Sequence, residues 1–318
     1  MGRRSKVTTH GDERPFGHEP VLVPEIMELL IPAGAARPNP GGTYCDATVG
    51  LGGHARAILE RSTPSGRVIG LDRDPDALAI ARTVLEPYGD RVTLVHAPFS
   101  RIRSVLADLD AVPVDGVLVD LGVSSPQLDR PERGFSFQRN GPLDMRMDQS
   151  AGETAAELLG RITEAELARL LRDYGEERFA GRIARHIVEA RGRGELDSTM
   201  TLAAIVARAV PAHERHKNPA TRTFQALRIA VNQELDELDA FLDQAAACLR
   251  PGGRLCVIAF HSLEDRMVKR RFRALAEAGA PGPRLRVLTK RIVVASDAER
   301  ERNPRSRSAK LRAAERVA

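Results

Sequence analysis

The chain has 318 residues, 42% apolar and 29% charged, with a formal net charge of +5 and no tryptophan. These proportions suit one large globular domain, or one domain with a smaller companion, and exclude a low-complexity or fibrous chain. Aromatics at 4% argue against ring stacking as the main mode of nucleic-acid binding, and three cysteines without a CxxC pair argue against a disulfide framework or zinc–cysteine site and for a reducing, cytoplasmic compartment.

Residues 1–17 are polar and basic, a flexible extension that is neither signal peptide nor membrane anchor. No window reaches the roughly 18 uninterrupted apolar residues of a membrane span. Pro20–Leu30 reads as an amphipathic helix entered through a proline turn, and Pro32–Gly42 as a loop. A rhythm of strand and helix then begins. Strands are expected at Tyr44–Val49, Arg67–Asp72, Val92–Ala97 and Val114–Leu121, with helices at His54–Arg61, Pro75–Leu85 and Ile102–Leu109 between them. Continuous β-branched strands alternating with helices indicate a parallel sheet covered on both faces, in which Cys45 and Cys256 are buried, inert thiols. From Ser124 to Met147 the chain is polar with Pro and Gly, a long functional loop. Helical spacing follows at Ala155–Leu159, Glu164–Arg172, Arg178–Ala190 and Leu202–Val210, with a polar break at Pro211–Pro219. The sheet pattern resumes with one long helix, Phe224–Leu249, a turn at Arg250–Arg254, a strand at Leu255–Phe260, a helix at Leu263–Ala278 and one or two strands in Leu285–Val294. Ser296–Ala318 is polar and highly charged, a tail disordered until bound.

The expected architecture is an open α/β sheet domain, 18–129 and 224–295, with an inserted helical substrate-recognition domain at 130–223 and a basic tail at 296–318. From Arg266 onward sixteen Lys/Arg stand against five Asp/Glu, so the rest of the chain is slightly acidic. A basic end on such a body suggests a polyanionic partner.

Ligands of open α/β sheets bind at the carboxyl ends of the strands. Gly50-Leu51-Gly52-Gly53-His54 follows the first strand and opens a helix, and Asp72 ends the second about twenty residues later, where a carboxylate accepts hydrogen bonds from both ribose hydroxyls of an adenosine. Phe99 lies past the third strand, placed to pack on a purine, and Asp120 ends the fourth. Gly50, Gly52 and Ala55 also satisfy the dinucleotide pattern G-x-G-x-x-A, so an NAD-dependent dehydrogenase is one reading. Two features favour a methyl donor: Asp46 precedes the glycines inside the strand, and Leu249-Arg-Pro-Gly-Gly-Arg-Leu255 joins a helix to the fifth strand, a phrase frequent in class I methyltransferases.

With these residues in hand, the chain resembles the MraW (RsmH) family of bacterial small-subunit (16S) ribosomal RNA cytosine-N4 methyltransferases. The likeness runs from His18-Glu-Pro-Val21 to Leu311-Arg312. It rests on Asp120-Leu-Gly-Val-Ser-Ser-Pro-Gln-Leu-Asp129, Arg133-Gly-Phe-Ser-Phe137 and Gly141-Pro-Leu-Asp-Met-Arg-Met-Asp148. Further blocks are Asn218-Pro-Ala-Thr-Arg-Thr-Phe-Gln-Ala-Leu-Arg228, Phe260-His-Ser-Leu-Glu-Asp-Arg266 and Arg305-Ser-Arg-Ser-Ala-Lys-Leu-Arg312. The resemblance implies a class I (Rossmann-like) fold with an inserted helical domain and S-adenosyl-L-methionine as donor, held by Gly52, Gly53, His54, Asp72, Phe99, Asp120 and Gln127. It implies a substrate cytidine in the decoding region of small-subunit rRNA, presented in the assembled subunit; a homodimer is left open. Ala47 and Asn140 depart from the family pattern, which has Gly and Asp there.

Methyl transfer from a sulfonium is an in-line displacement that needs alignment and exclusion of water, and no covalent nucleophile. Cytosine N4 is a poor nucleophile, and an acceptor on its amino group helps it release a proton. The loop 120–127 is the expected source, through Asp120 or backbone carbonyls near Ser124 and Ser125. RNA contacts are expected from Arg222, Arg228, Lys269, Arg270, Arg271, Arg305, Arg307 and Lys310. His261 reads as a structural residue at a strand end, and no metal is expected. A non-enzymatic RNA-binding ribosome assembly factor is the other rival.

Overall fold

The computed structural model describes residues 19–32, 41–211, 218–277, 279 and 282–317. The expected N-terminal extension lies outside them, as do most of the 32–42 loop and of the 211–219 break.

After helix α1 (Val23–Leu30) the alternation runs β1 (Thr43–Asp46), α2 (Gly53–Arg61), β2 (Arg67–Asp72), α3 (Pro75–Leu85), β3 (Val92–His96), α4 (Ile102–Asp108), β4 (Val114–Asp120) and α5 (Ser125–Asp129). A helical run follows: α6 (Ala155–Arg161), α7 (Glu164–Gly175), α8 (Ala180–Gly192), α9 (Thr199–Ala209), α10 (Ala220–Asn232) and α11 (Glu234–Cys248). The chain closes with β5 (Leu249–Ala259), α12 (Ser262–Ala276), β6 (Leu285–Val287), α13 (Asp297–Arg302) and β7 (Lys310–Arg316). The seven strands form one sheet in the order β3-β2-β1-β4-β5-β7-β6, parallel except for β7, which is antiparallel to both β5 and β6. This is the class I methyltransferase sheet. β2, β4 and β5 carry apolar runs because both faces are covered: Val117, Leu118 and Val119 of β4 are fully buried, between one core built on Phe241, Leu242 and Phe272 and another on Ile26, Ile58 and Leu78.

The helices after β4 have their own core, Leu158, Leu167, Leu171, Ile183, Ile187, Leu202 and Ile205. Two of them start at capping boxes, Thr154 with Glu157 and Thr163 with Glu166, which satisfy the otherwise orphaned amides of the first turn. Phe224, Ala226 and Leu227 also belong to this core. The expected boundary at 223/224 therefore falls inside α10, and the helical layer runs on to Asn232.

Three expectations need correction. The long helix 224–249 is two helices, broken at Gln233, whose backbone is left-handed (φ 51°, ψ 37°). The turn Arg250–Arg254 is an excursion inside β5: Val114 pairs with Leu249 and Gly116 with Arg254, so residues 250–253 bulge opposite Asp115. The largest difference is at the C-terminal end. Residues 296–318 were expected to form a basic, disordered tail, but Lys310–Arg316 are β7, inserted between β5 and β6. Leu311, Ala313 and Ala314 are fully buried, and the charges between them are paired. Arg312 Nε meets Asp265 Oδ1 at 2.6 Å, and Glu315 takes Arg254 and Arg286. Charge in sequence suggested solvent; pairing within the sheet neutralises it. Leu311→Asp is thus expected to lower the thermal midpoint by about 10 °C, measured by calorimetry. An unchanged midpoint would restore the tail.

Candidate active site at the strand tips

Asp46, Asp72 and Asp120 end three neighbouring parallel strands. Backbone bonds lace the tips together. Ala47 N donates to Leu118 O, and Val49 N to Leu71 O, each at 2.8 Å. Asp120 N donates to Thr48 Oγ1 at 2.7 Å. Asp72 Oδ2 accepts from Gly50 N at 2.8 Å and Oδ1 from Asp74 N at 2.9 Å. Gly52 closes the turn with a left-handed backbone (φ 87°), its N–H on Val49 O.

Above these tips lies a cleft of about 270 Å³, near the lower end for small-ligand sites. Gly53, His54, Asp72, Phe99, Asp120, Ser124 and Gln127 all line it, as do Thr48, Val49 and Gly50. Gly52 and Ser125 do not: Gly52 shapes the turn, and Ser125 is buried in the first turn of α5. Phe99 is held edge-on against Phe241, centroids 5.4 Å apart. Gln127 is engaged by protein groups: Oε1 accepts from Ser124 N at 2.9 Å, and Nε2 donates to Asp74 Oδ2 at 2.8 Å. The same Asp74 oxygen takes buried Arg133 at 3.0 Å. This node pins the loop after β4 to the start of α3.

Burial dominates the acids. It raises the Asp46 carboxyl to about 7, against the pull of the Thr48 amide. It raises Asp72 to about 6, opposed by the amides of Asp74 and Gly50. Asp120 is pushed well above the usual carboxylate range by burial, then by the charges of Asp46 and Glu264. Asp46 Oδ2, Asp120 Oδ1 and Ser124 Oγ are buried without a hydrogen-bond partner. Orphaned polar atoms are rare in protein interiors, and two of these line the cleft, as a ligand site requires. His54 Nε2 is 2.8 Å from Val21 O, and Nδ1 is 3.7 Å from Asp120 Oδ2.

The far wall carries charge that spacing did not single out. Arg228, placed among the RNA contacts, lines the cleft and forms a two-pronged pair with Glu234: Nε to Oε1 at 2.8 Å and Nη2 to Oε2 at 2.7 Å. Glu264, also lining, accepts from Phe260 N at 2.8 Å and His261 N at 3.2 Å. Burial raises Glu264, but His261, Arg228 and the Phe260 amide outweigh it and the net shift is downward. His261 caps α12, as a structural histidine does. Ligand atoms of Glu234, His261 and Glu264 lie within 4.8 Å of one another. Their carboxylates are already committed to Arg228 and to backbone amides, so the cluster is a hydrogen-bonded network in which both acids have partners.

The remaining basic residues divide. Arg222, Lys269, Arg270 and Arg307 are exposed and Lys310 is half-buried. Arg271 is held by Asp239 and Asp243, and Arg305, on the rim, lies 3.4 Å from Asp129. Asn232 went unnoticed in sequence. It is buried and holds the 145–147 segment, Oδ1 accepting from Met147 N at 2.8 Å and Nδ2 donating to Met145 O at 2.7 Å.

The Asp46 shift sets a stability test. Well below its ordinary value of 3.8 the carboxyl is protonated in both folded and unfolded chains. As pH rises through about 7 the folded chain must ionise it against burial, and the stability tied to the raised value is lost. Asp46→Asn should match wild type near pH 4 and exceed it at pH 8 by on the order of 3 kcal/mol, seen as a higher melting midpoint. Equal midpoints at both pH values would contradict this.

The whole chain has relatives. Residues 15–317 match the MraW methylase family. The chain is 52% identical to ribosomal RNA small subunit methyltransferase H of Nitratidesulfovibrio vulgaris, over 94% of this chain and 95% of that protein. The same enzyme of Geobacter sulfurreducens is 51% identical, over 95% and 99%, and that of Sorangium cellulosum 55%, over 96% and 93%. Among solved structures it is similar to TrmN from Thermus thermophilus, 14% identical, with a TM-score of 0.42 over 93% of this chain and 48% of that one. Matched from its first described helix to its last strand, the chain belongs to the MraW methylase family.

Proposed function

We propose that this protein methylates N4 of a cytidine in the decoding region of small-subunit rRNA, with S-adenosylmethionine as donor and the assembled subunit as substrate. Family membership supports methyl transfer, and relatives named ribosomal RNA small subunit methyltransferase H support the RNA. The carrying observation is the buried, unpartnered Asp120 Oδ1 lining the cleft between the glycine loop and the Arg228–Glu234 wall. A dehydrogenase has no place in a methylase family, and a binding factor without catalysis has no use for such an acceptor.

Asp72, Gly53 and the Phe99 ring hold the adenosine part of the donor, and Gln127 acts by keeping the 124–127 turn against Asp74. Bound S-adenosylmethionine supplies an electrophilic methyl group whose leaving group is a neutral thioether. Asp120 accepts a hydrogen bond from the target amino group through Oδ1 and takes its proton as the nitrogen becomes bonded to carbon. Burial makes Asp120 a stronger base than an ordinary carboxylate. Ser124 Oγ, also orphaned, orients the amine. Exposed Arg222, Lys269, Arg270 and Arg307 contact RNA phosphates, while the target base is splayed from its stack into the cleft.

Asp120→Asn should keep donor affinity within about threefold and lower single-turnover methylation of small subunits by about 100-fold or more. Unchanged turnover would remove Asp120 from the chemistry. Nucleoside mass spectrometry of the product must show N4-methylcytidine. Donor binding should also depend on pH. With Asp46 near 7 and Asp72 near 6, both carboxyls are partly protonated in mildly acidic solution. A cationic donor favours their ionised forms, so affinity should rise about tenfold from pH 5.5 to 8 with proton release. Calorimetry in two buffers of different ionisation enthalpy reads this, and pH-independent binding would refute it.

A further inference from the structure

Arg228 sits in a stretch whose other arginine, Arg222, is exposed, yet its own side chain is only 16% exposed and faces Glu234, which is 9% exposed. Such a pair is poorly placed to hold a phosphate: drawing the guanidinium outward would leave a buried carboxylate without its partner. Two guanidinium nitrogens are committed to Glu234, and Nη1 makes no hydrogen bond among the described residues. The left-handed Gln233 breaks the helix between the two partners, so Arg228 lies one turn before the end of one helix and Glu234 begins the next, both on the cleft wall. Glu264 is near enough for its charge to act on both Arg228 and Asp120. The cleft thus holds an anchored donor in the neighbourhood of an orphaned acceptor.

That pairing matches one base edge. Cytosine presents an amino donor at N4, followed by acceptors at N3 and O2. Uracil presents an acceptor at O4 and a donor at N3, so it would set acceptor against Asp120 and donor against guanidinium. We infer that Arg228, held in place by Glu234, reads the N3/O2 edge of the target base through Nη1 and thereby selects cytosine. The inference rests on the cytosine-N4 reading given above. Glu234 is a positioning residue in this scheme, and Arg228 touches the substrate.

The test uses the full chain and small ribosomal subunits lacking the modification. Two variants guard against a folding defect: Arg228→Lys keeps a cation beside Glu234 but loses the fork, and Arg228→Gln with Glu234→Gln leaves no unpaired buried charge. Both should keep donor affinity within about threefold and lower kcat/KM by about 10- to 100-fold. The slope of log KM against log salt should stay that of wild type, because no phosphate contact is lost. A slope reduced by about one unit would make Arg228 a phosphate contact and overturn the assignment. So would kcat/KM within threefold of wild type, or loss of donor binding. If wild type places its methyl elsewhere than cytosine N4, the functional reading itself fails. An N4 product with fully active variants sinks the role of Arg228 alone.

Discussion

The hydrogen bond from Gly50 N to the Asp72 carboxylate joins the loop after β1 to the tip of β2, and the site is organised around it. It holds the glycine turn down over the sheet, so that α2 begins against Pro20 and the cleft keeps a floor. A β-carbon on Gly53 would come within 3.0 Å of that proline, and one on Gly52 within 3.1 Å of Leu85. The glycines therefore serve close packing as much as ligand approach. Because β1 lies between β2 and β4, the same lacing brings Asp46, Asp72 and Asp120 to adjacent tips. Burial raises all three carboxyls, with Asp72 adding to the shift of Asp46 and Asp46 to that of Asp120.

The far wall is built by a different rule. Its polar groups are paired: Arg228 with Glu234, Glu264 with His261 and backbone amides. A cleft with acids raised by burial at one end suits a cationic methyl donor there. The two ends come from different layers of the fold, and their alignment depends on the seam between them. Asp74, Gln127 and Arg133 close that seam on one side, with Asn232 and the ion pair His96–Asp148 on the other. Each bond of this set is made by a side chain to a backbone or a charge, which gives a defined register that apolar contact alone would leave loose.

The C-terminal strand connects sheet stability to the site. β7 presents Arg312 to Asp265 on α12, whose first turn carries Glu264. Just before β7, Arg305 and Ser308 reach the rim of the cleft, and Glu299 of α13 accepts from Leu22 N at 2.9 Å, next to Val21, which also lines it. The two ends of the described chain thus meet beside the cleft, and the basic end is divided between internal ion pairs and exposed cations such as Lys269 and Arg270.

By itself the sequence determined whatever is local or periodic. Apolar runs marked the five parallel strands β1 to β5, as burial on both faces demands of the inner ones, and the glycine loop with its acid twenty residues on marked the ligand end. The helices of the insertion and their capping boxes are local too. Tertiary structure decided what depends on partners distant in the chain. β7 was hidden because its charges are neutralised by Asp265 and Arg254, 47 and 61 residues away. The break at Gln233 was hidden because no local rule demands a left-handed glutamine; packing of Asn232 on the 145–147 segment and of Glu234 on Arg228 imposes it. Arg228 looked like a phosphate contact because an arginine in sequence carries only its charge. Whether that charge meets solvent or a carboxylate is settled by folding, through the cost of leaving either one alone in a dry cleft.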